Sequence, residues 1–160
     1  MKKKYYWAII CFLSIVIITL CGILFFLMNH NSQNRKLFIN HIYFRLIDID
    51  KDLELLETGE LDNRNRVVDQ LSELNIICGM QRDYTDDLFY YELPGQFGKI
   101  GENMQLGKYS VEEVKQLRES IQEAIDELSA DSGKVENDKL TYGQVSDILK
   151  SLFLKVEEAK

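Results

Sequence analysis

The stretch YYWAIICFLSIVIITLCGILFFLM, from Tyr5 to Met28, holds 24 residues without a charged side chain and decides how the chain is organised. As a helix it would span about 36 Å, compared with about 30 Å for the hydrocarbon core of a bilayer. Tyr5, Tyr6 and Trp7 stand at its N-terminal edge, where aromatic side chains favour the membrane interface. The stretch therefore predicts one transmembrane helix.

Two other interpretations of this stretch fit it less well. A cleaved signal peptide has an apolar core of about 7–15 residues followed by a small-x-small cleavage site, and this run is longer and lacks such a site. A lipoprotein signal requires a small residue before its cysteine, whereas Leu20 precedes Cys21. We therefore expect an uncleaved anchor.

The orientation of the anchor follows from the basic residues beside it. Three lysines precede it: Lys2, Lys3 and Lys4. Three basic residues follow within about 20 residues of its other end: Arg35, Lys36 and Arg45. The counts are equal, but the lysines directly adjoin the apolar run, as in an export signal. We expect residues 1–4 to be cytoplasmic and the rest of the chain after the anchor to be extracytoplasmic.

The charge of the chain beyond Met28 limits the classes of partner. That part carries 16 of the 19 Lys and Arg and all 26 Asp and Glu, a balance of 16 − 26 = −10. Such a charge disfavours binding to nucleic acid or to an anionic lipid surface, because both require a basic face. Cys78 is the lone cysteine there, so no internal disulfide can form.

The residues after the anchor show the periodicity of helices. Residues 29–34 form a polar juxtamembrane linker, and a helical domain is expected over 35–160. Its four apolar stripes begin at Phe38, Val67, Val111 and Val145. Thr58-Gly59 predicts the end of the first helix, and Ser110 with Glu113 predicts a capping box at the start of the third. Four such helices favour an antiparallel four-helix bundle in a mostly α protein.

An insert over residues 80–109 separates the second and third predicted helices and is too long for a plain connection. It is rich in aromatic residues and glycines, and LFYYEL over residues 88–93 is typical of a short strand, with a partner strand near Ile100 or Met104. Two interpretations stay open: the aromatics seal the bundle, or they form a recognition surface. On a strand, Tyr90 would be more exposed than Tyr91. The candidate partner-binding residues are Tyr84, Tyr90, Phe97 and Tyr109.

The familiar chemical motifs are incomplete in this sequence. Asp48, Asp50 and Asp52 resemble the start of a calcium loop, but Leu53 and Gly59 occupy the positions that need Gly and Glu. The two histidines lack a metal-ligand spacing, and no nucleophile–base pattern is present. We predict no enzymatic activity, no metal site and no cofactor. Cys78 is expected to be a buried thiol, and a disulfide-linked homodimer is the alternative.

These features together predict a single-pass membrane protein that acts through binding. We expect a non-enzymatic interaction or accessory protein of a bacterial envelope, which holds a protein partner near the membrane. The alternative is an extracytoplasmic ligand-sensing domain. Since only residues 1–4 would be cytoplasmic, such a sensor would have to signal through a partner's membrane helix.

Overall fold

The computed structural model describes residues 2–59, 64–80, 89–129 and 140–158, and it describes their side chains except at 2–5, 8–10, 89–94 and 156–158. These residues form helices and contain no strand. The helices are α1 (Lys2–Thr58), α2 (Arg64–Met80), α3 (Phe89–Gln105), α4 (Val111–Ser129) and α5 (Tyr142–Glu158). The predicted fold class, mostly α with one long apolar N-terminal helix, is confirmed.

The chain divides into two compact units, Met1–Arg35 and Lys36–Lys160. The first unit is helical from Lys2, and its apolar stretch is long and apolar enough, by length and composition, to cross a membrane. Tyr6 and Trp7 are exposed. The polar residues 29–34, expected as a linker, are helical, and the Asn34 side-chain amide lies 3.3 Å from Nε2 of His30 one turn earlier.

The second unit is built on the part of α1 that follows the first unit. Its predicted apolar stripe is buried: Phe38, Ile42, Leu46, Ile49 and Leu53. The helix ends at Thr58, where Gly59 adopts a φ of 72° and donates its N–H to the Leu56 carbonyl at 3.3 Å. The predicted glycine end of this helix is confirmed, because a left-handed backbone favours glycine.

The predicted stripes of three other helices also form the core. The buried residues on α2, α4 and α5 include Val67, Leu71, Leu74, Cys78, Val114, Leu117, Ile121, Ala124, Leu128, Val145, Leu149 and Leu152. The capping box at α4 is confirmed, since Ser110 Oγ accepts the Glu113 N–H at 3.2 Å and Glu113 accepts the Ser110 N–H at 2.7 Å. Thr141 and Gln144 cap α5 in the same reciprocal way. Val111, expected in the buried α4 stripe, is instead exposed.

The expected strand or hairpin within residues 80–109 is wrong, because residues 89–105 form the helix α3. The reason is a helical stripe of Phe97, Ile100 and Met104, which is buried in the common core. Gly101 is buried where α3 packs on α2, and a Cβ built on it would lie 3.7 Å from Val68, an ordinary van der Waals contact. Among its described residues, the second unit thus contains five helical segments rather than the expected four.

Ion pairs between side chains hold α1 against its neighbours. On one side, Arg45 pairs with Glu73, and Asp52 pairs with Arg66 at 2.9 Å. Residue numbers rise along α1 as they fall along α2, so these two helices are antiparallel.

On the other side of α1, Arg118 of α4 contacts three carboxylates. Its guanidinium lies 3.2 Å from Asp50, 3.2 Å from Glu54 and 3.0 Å from Glu57. The acidic segment that resembles a calcium loop lies within the helix α1. Three of its carboxylates contact the Arg118 guanidinium rather than one another. Within the described part of the chain, no group of three or more His, Cys, Asp or Glu side chains could hold a metal ion.

Candidate functional site: the Tyr109 cleft

The connection between α3 and α4 is short and tightly bonded. Gly107, with a φ of 67°, donates its N–H to the Met104 carbonyl at 3.0 Å, and Lys108 donates to the Asn103 carbonyl at 3.0 Å. This pair of bonds is a Schellman motif, in which glycine supplies the left-handed residue after a helix. The capping box at Ser110 follows directly. The two motifs fix the chain direction between the helices and place Tyr109 between them.

A cleft of about 60 Å³ opens beside this connection, and we call it the Tyr109 cleft. Its walls come from α1, α2, α3, α4 and the α3–α4 connection. The lining residues are Leu56, Arg64, Met104, Tyr109, Val111 and Val114. Apolar side chains form most of the wall, and a guanidinium and a phenol supply the polar groups.

Two exposed apolar side chains flank the α3–α4 connection, and the second of them lines the cleft. Leu106 follows α3 and is 58% exposed, and Val111 opens α4 and is 67% exposed. Val111 continues the apolar spacing of α4, but it stands in the first turn, where it lines the cleft instead of entering the core. Exposed apolar groups around a concavity on a rigid scaffold are typical of a protein-binding site.

Charged groups surround the polar part of the cleft. The Arg64 guanidinium lies across Gly107, only 2.9 Å from the position that a Cβ on this glycine would take. Burial, and then the negative charge of Glu113, raise the pKa of the Tyr109 phenol above its ordinary value. Tyr109 therefore stays neutral at physiological pH and presents a phenol, while Arg64 presents a positive charge.

Of the four candidate binding residues of the insert, Phe97 and Tyr109 have described side chains, and the structure places them in different surroundings. Tyr109 is half-buried in the cleft, whereas Phe97 is 1% exposed and packs edge-on against Phe153 with ring centroids 4.8 Å apart. Phe97 is thus a core residue in this structure, which favours the sealing role over partner contact at this position. Tyr84 lies outside the described residues. Tyr90 is within α3, but its side chain and that of Tyr91 are outside the described part, so their relative exposure stays a prediction.

Sequence reasoning found one residue of the cleft and missed the others. Leu56, Arg64 and Met104 come from three different helices, and their separation in sequence carries no local signal that they meet. Only the two caps beside Tyr109 mark this region in the sequence, and they indicate helix ends without indicating a cavity.

Cys78 is fully buried in the core, as expected for a structural thiol. Burial raises its pKa to about 12, so the reactive thiolate is not formed at physiological pH. A disulfide between two copies would require this buried sulfur to reach the surface. The structure therefore favours the buried thiol over the disulfide-linked homodimer.

The sequence matches no protein-family model, and comparisons with curated proteins and with solved structures found no similar protein. The functional interpretation therefore depends on the residues and geometry described above.

Proposed function

We propose that this protein is a membrane-tethered, non-enzymatic interaction protein of a bacterial envelope, and that its helical domain holds a protein partner near the membrane. The observation that carries the proposal is the Tyr109 cleft, a small and mostly apolar cavity with the exposed Val111 in its wall and the exposed Leu106 in the adjoining α3–α4 connection. The apolar N-terminal helix supplies the tether.

The size of the cleft favours a protein side chain over a small molecule as its occupant. Pockets for cofactors and drug-sized ligands measure roughly 300–1,000 Å³. A cleft of about 60 Å³ has room for one apolar side chain. Arg64 at its wall would favour a partner segment that carries a carboxylate next to an apolar residue, because a guanidinium can donate two parallel hydrogen bonds to a carboxylate. The cleft thus supports partner binding more than ligand sensing.

The position of the partner depends on the orientation of the anchor. The three lysines Lys2, Lys3 and Lys4 support a cytoplasmic N-terminus and an extracytoplasmic domain. Protease added to intact protoplasts should remove the domain, and a domain that stays fully protected would place it on the cytoplasmic side.

Partner binding is tested by changing the edge of the cleft while leaving the fold intact. The full-length protein is purified from native membranes as wild type and as a Leu106→Asp, Val111→Asp double variant. Because both side chains are exposed, we expect the thermal melt to change little while the partner is lost. Gln122→Asp, at an exposed position of α4, is the matched control and should retain the partner. A set of co-purifying proteins that is identical for all three forms would refute the proposal.

A further inference from the structure

Arg64 opens α2 and carries an exposed guanidinium at the wall of the Tyr109 cleft. Elsewhere in the second unit, Arg45, Arg66 and Arg118 each contact at least one carboxylate. Arg64, by contrast, makes no ion pair with any side chain that the structure describes. In a part of the chain that is strongly acidic overall, this guanidinium is thus free to bind a carboxylate of another molecule.

Gly107 makes room for the Arg64 guanidinium. Nη1 of Arg64 lies 2.9 Å from the position that a Cβ on Gly107 would take, so a larger residue there would displace it. The positive charge therefore lies against the α3–α4 connection, in the same wall as the apolar side chains of Met104 and Val111. A ligand that fits this wall presents a negative group and an apolar group side by side.

The backbone of the α3–α4 connection indicates which kind of carboxylate fits. The N–H groups of Gly107 and Lys108 donate to carbonyls of α3 at 3.0 Å, and the N–H of Ser110 donates to the Glu113 carboxylate at 2.7 Å. Sites that capture the C-terminal carboxylate of a peptide use a cluster of free backbone N–H groups. Because these three are already bonded, the geometry favours an Asp or Glu side chain, which one guanidinium binds through two parallel hydrogen bonds.

The cavity favours an aliphatic group beside that carboxylate. Leu56, Met104 and Val114 supply apolar walls to a volume of about 60 Å³. An apolar cavity that accepts a benzene ring measures about 150 Å³, so an aromatic side chain is too large for this one. The negative charge of the chain after the anchor also disfavours an anionic lipid surface as the occupant. The remaining occupant is a protein segment with a small aliphatic side chain.

On the basis of the proposed function, we propose that the Tyr109 cleft recognises an acidic–aliphatic segment of the partner. In this complex, an Asp or Glu side chain of the partner pairs with Arg64, and a neighbouring Val, Ile or Leu side chain enters the cavity. The aliphatic group supplies apolar burial, and the carboxylate fixes the position and direction of the segment.

Selection from a random peptide library displayed on phage tests this specificity, with the full-length protein held in detergent micelles. We expect the enriched sequences to combine Asp or Glu with Val, Ile or Leu within about four residues. An enriched peptide, synthesised with a free or an amidated C-terminus, should bind equally well in both forms. Enrichment without acidic residues, no enrichment, or loss of binding on amidation would overturn the proposal.

The role of Arg64 is measured with the same synthetic peptide. Arg64→Gln should weaken its binding roughly tenfold, with Arg64→Lys intermediate because it keeps the charge but loses the paired hydrogen bonds. Lys99→Gln removes one positive charge from an exposed position of α3 and is the matched control, which should bind like the wild type. Since Arg64 is exposed, its thermal melt should change little on substitution. Equal affinities of Arg64→Gln and Lys99→Gln would overturn the proposal.

Co-purification from native membranes separates this proposal from the proposed function. Loss of the native partner from both Arg64→Gln and the Leu106→Asp, Val111→Asp double variant would support both. If the double variant loses the partner but Arg64→Gln retains it, the cleft binds a partner without the carboxylate, which overturns only the acidic–aliphatic specificity. If both variants retain the partner, the proposed function fails as well.

Discussion

Replacing Phe97 with Ala measures how much α3 contributes to the core. Phe97 is 1% exposed, and its ring packs edge-on against Phe153 at 4.8 Å between centroids. Truncating a buried Phe to Ala costs about 3–5 kcal/mol, which includes the cavity that is left behind. A domain of this size has a total stability of about 5–15 kcal/mol. We therefore expect the variant to lose about a fifth of its stability or more.

The assay is thermal and urea unfolding of a fragment covering residues 36–160, followed by circular dichroism. This fragment corresponds to the compact unit that contains the core, so we expect it to be helical and to unfold in one transition. Phe97→Ala should lower its midpoint by roughly 12–20 °C, since 1 kcal/mol corresponds to about 4 °C in a domain of this size.

Phe44→Ala is the matched control for Phe97→Ala. It removes the same side chain from a position that is 52% exposed, and we expect a change within about 0.5 kcal/mol. If the two variants unfolded at the same midpoint, Phe97 would not be a core residue. Its role as a binding residue would then be open again.

Three further predictions follow from single residues. Gly107→Ala should lower the free energy of unfolding by about 1–2 kcal/mol, because a φ of 67° is strained for Ala and the added Cβ meets Arg64. Gly98→Ala, in α3 with open space around it, should instead raise the free energy of unfolding by about 0.5–1 kcal/mol. Equal effects of the two substitutions would contradict this explanation. Between pH 9 and about 12 the unfolded chain loses the Cys78 proton while the folded chain keeps it, so the free energy of unfolding should fall by about 1.4 kcal/mol per pH unit. In urea titrations at several pH values, the free energy of unfolding of Cys78→Ala should fall less steeply with pH. Equal slopes for the wild type and the variant would refute this prediction. Arg118→Ala should lower the free energy of unfolding by about 1–3 kcal/mol, with Arg118→Lys intermediate, because three α1 carboxylates lose their shared partner. If this loss did not depend on salt concentration, packing rather than charge would be responsible.

The sequence alone determined the features that depend on neighbouring residues. The apolar run from Tyr5 to Met28 predicts a helix able to span a membrane, because length and hydrophobicity are local properties. The stripes on four helical segments and the caps at Gly59 and Ser110 were also predictable. Each rests on residues within one or two turns of each other, and the structure places the described ones as expected except Val111, which is exposed.

The tertiary structure decided the conformation of the insert. Its aromatic residues and glycines favour a strand or loop locally, yet packing of Phe97, Ile100 and Met104 against the core stabilises the helix α3. Burial of a stripe outweighs a weak local preference, since most helical stability in proteins comes from tertiary packing.

Packing likewise decided which candidate residues are accessible. Phe97 and Tyr109 belong to the same aromatic segment, but the first fills the core and the second lines a cleft with residues of other helices. Sequence spacing can assign a residue to one face of its own helix. It cannot show which distant residues meet there, because the positions of Leu56, Arg64 and Tyr109 depend on how the helices pack as a whole.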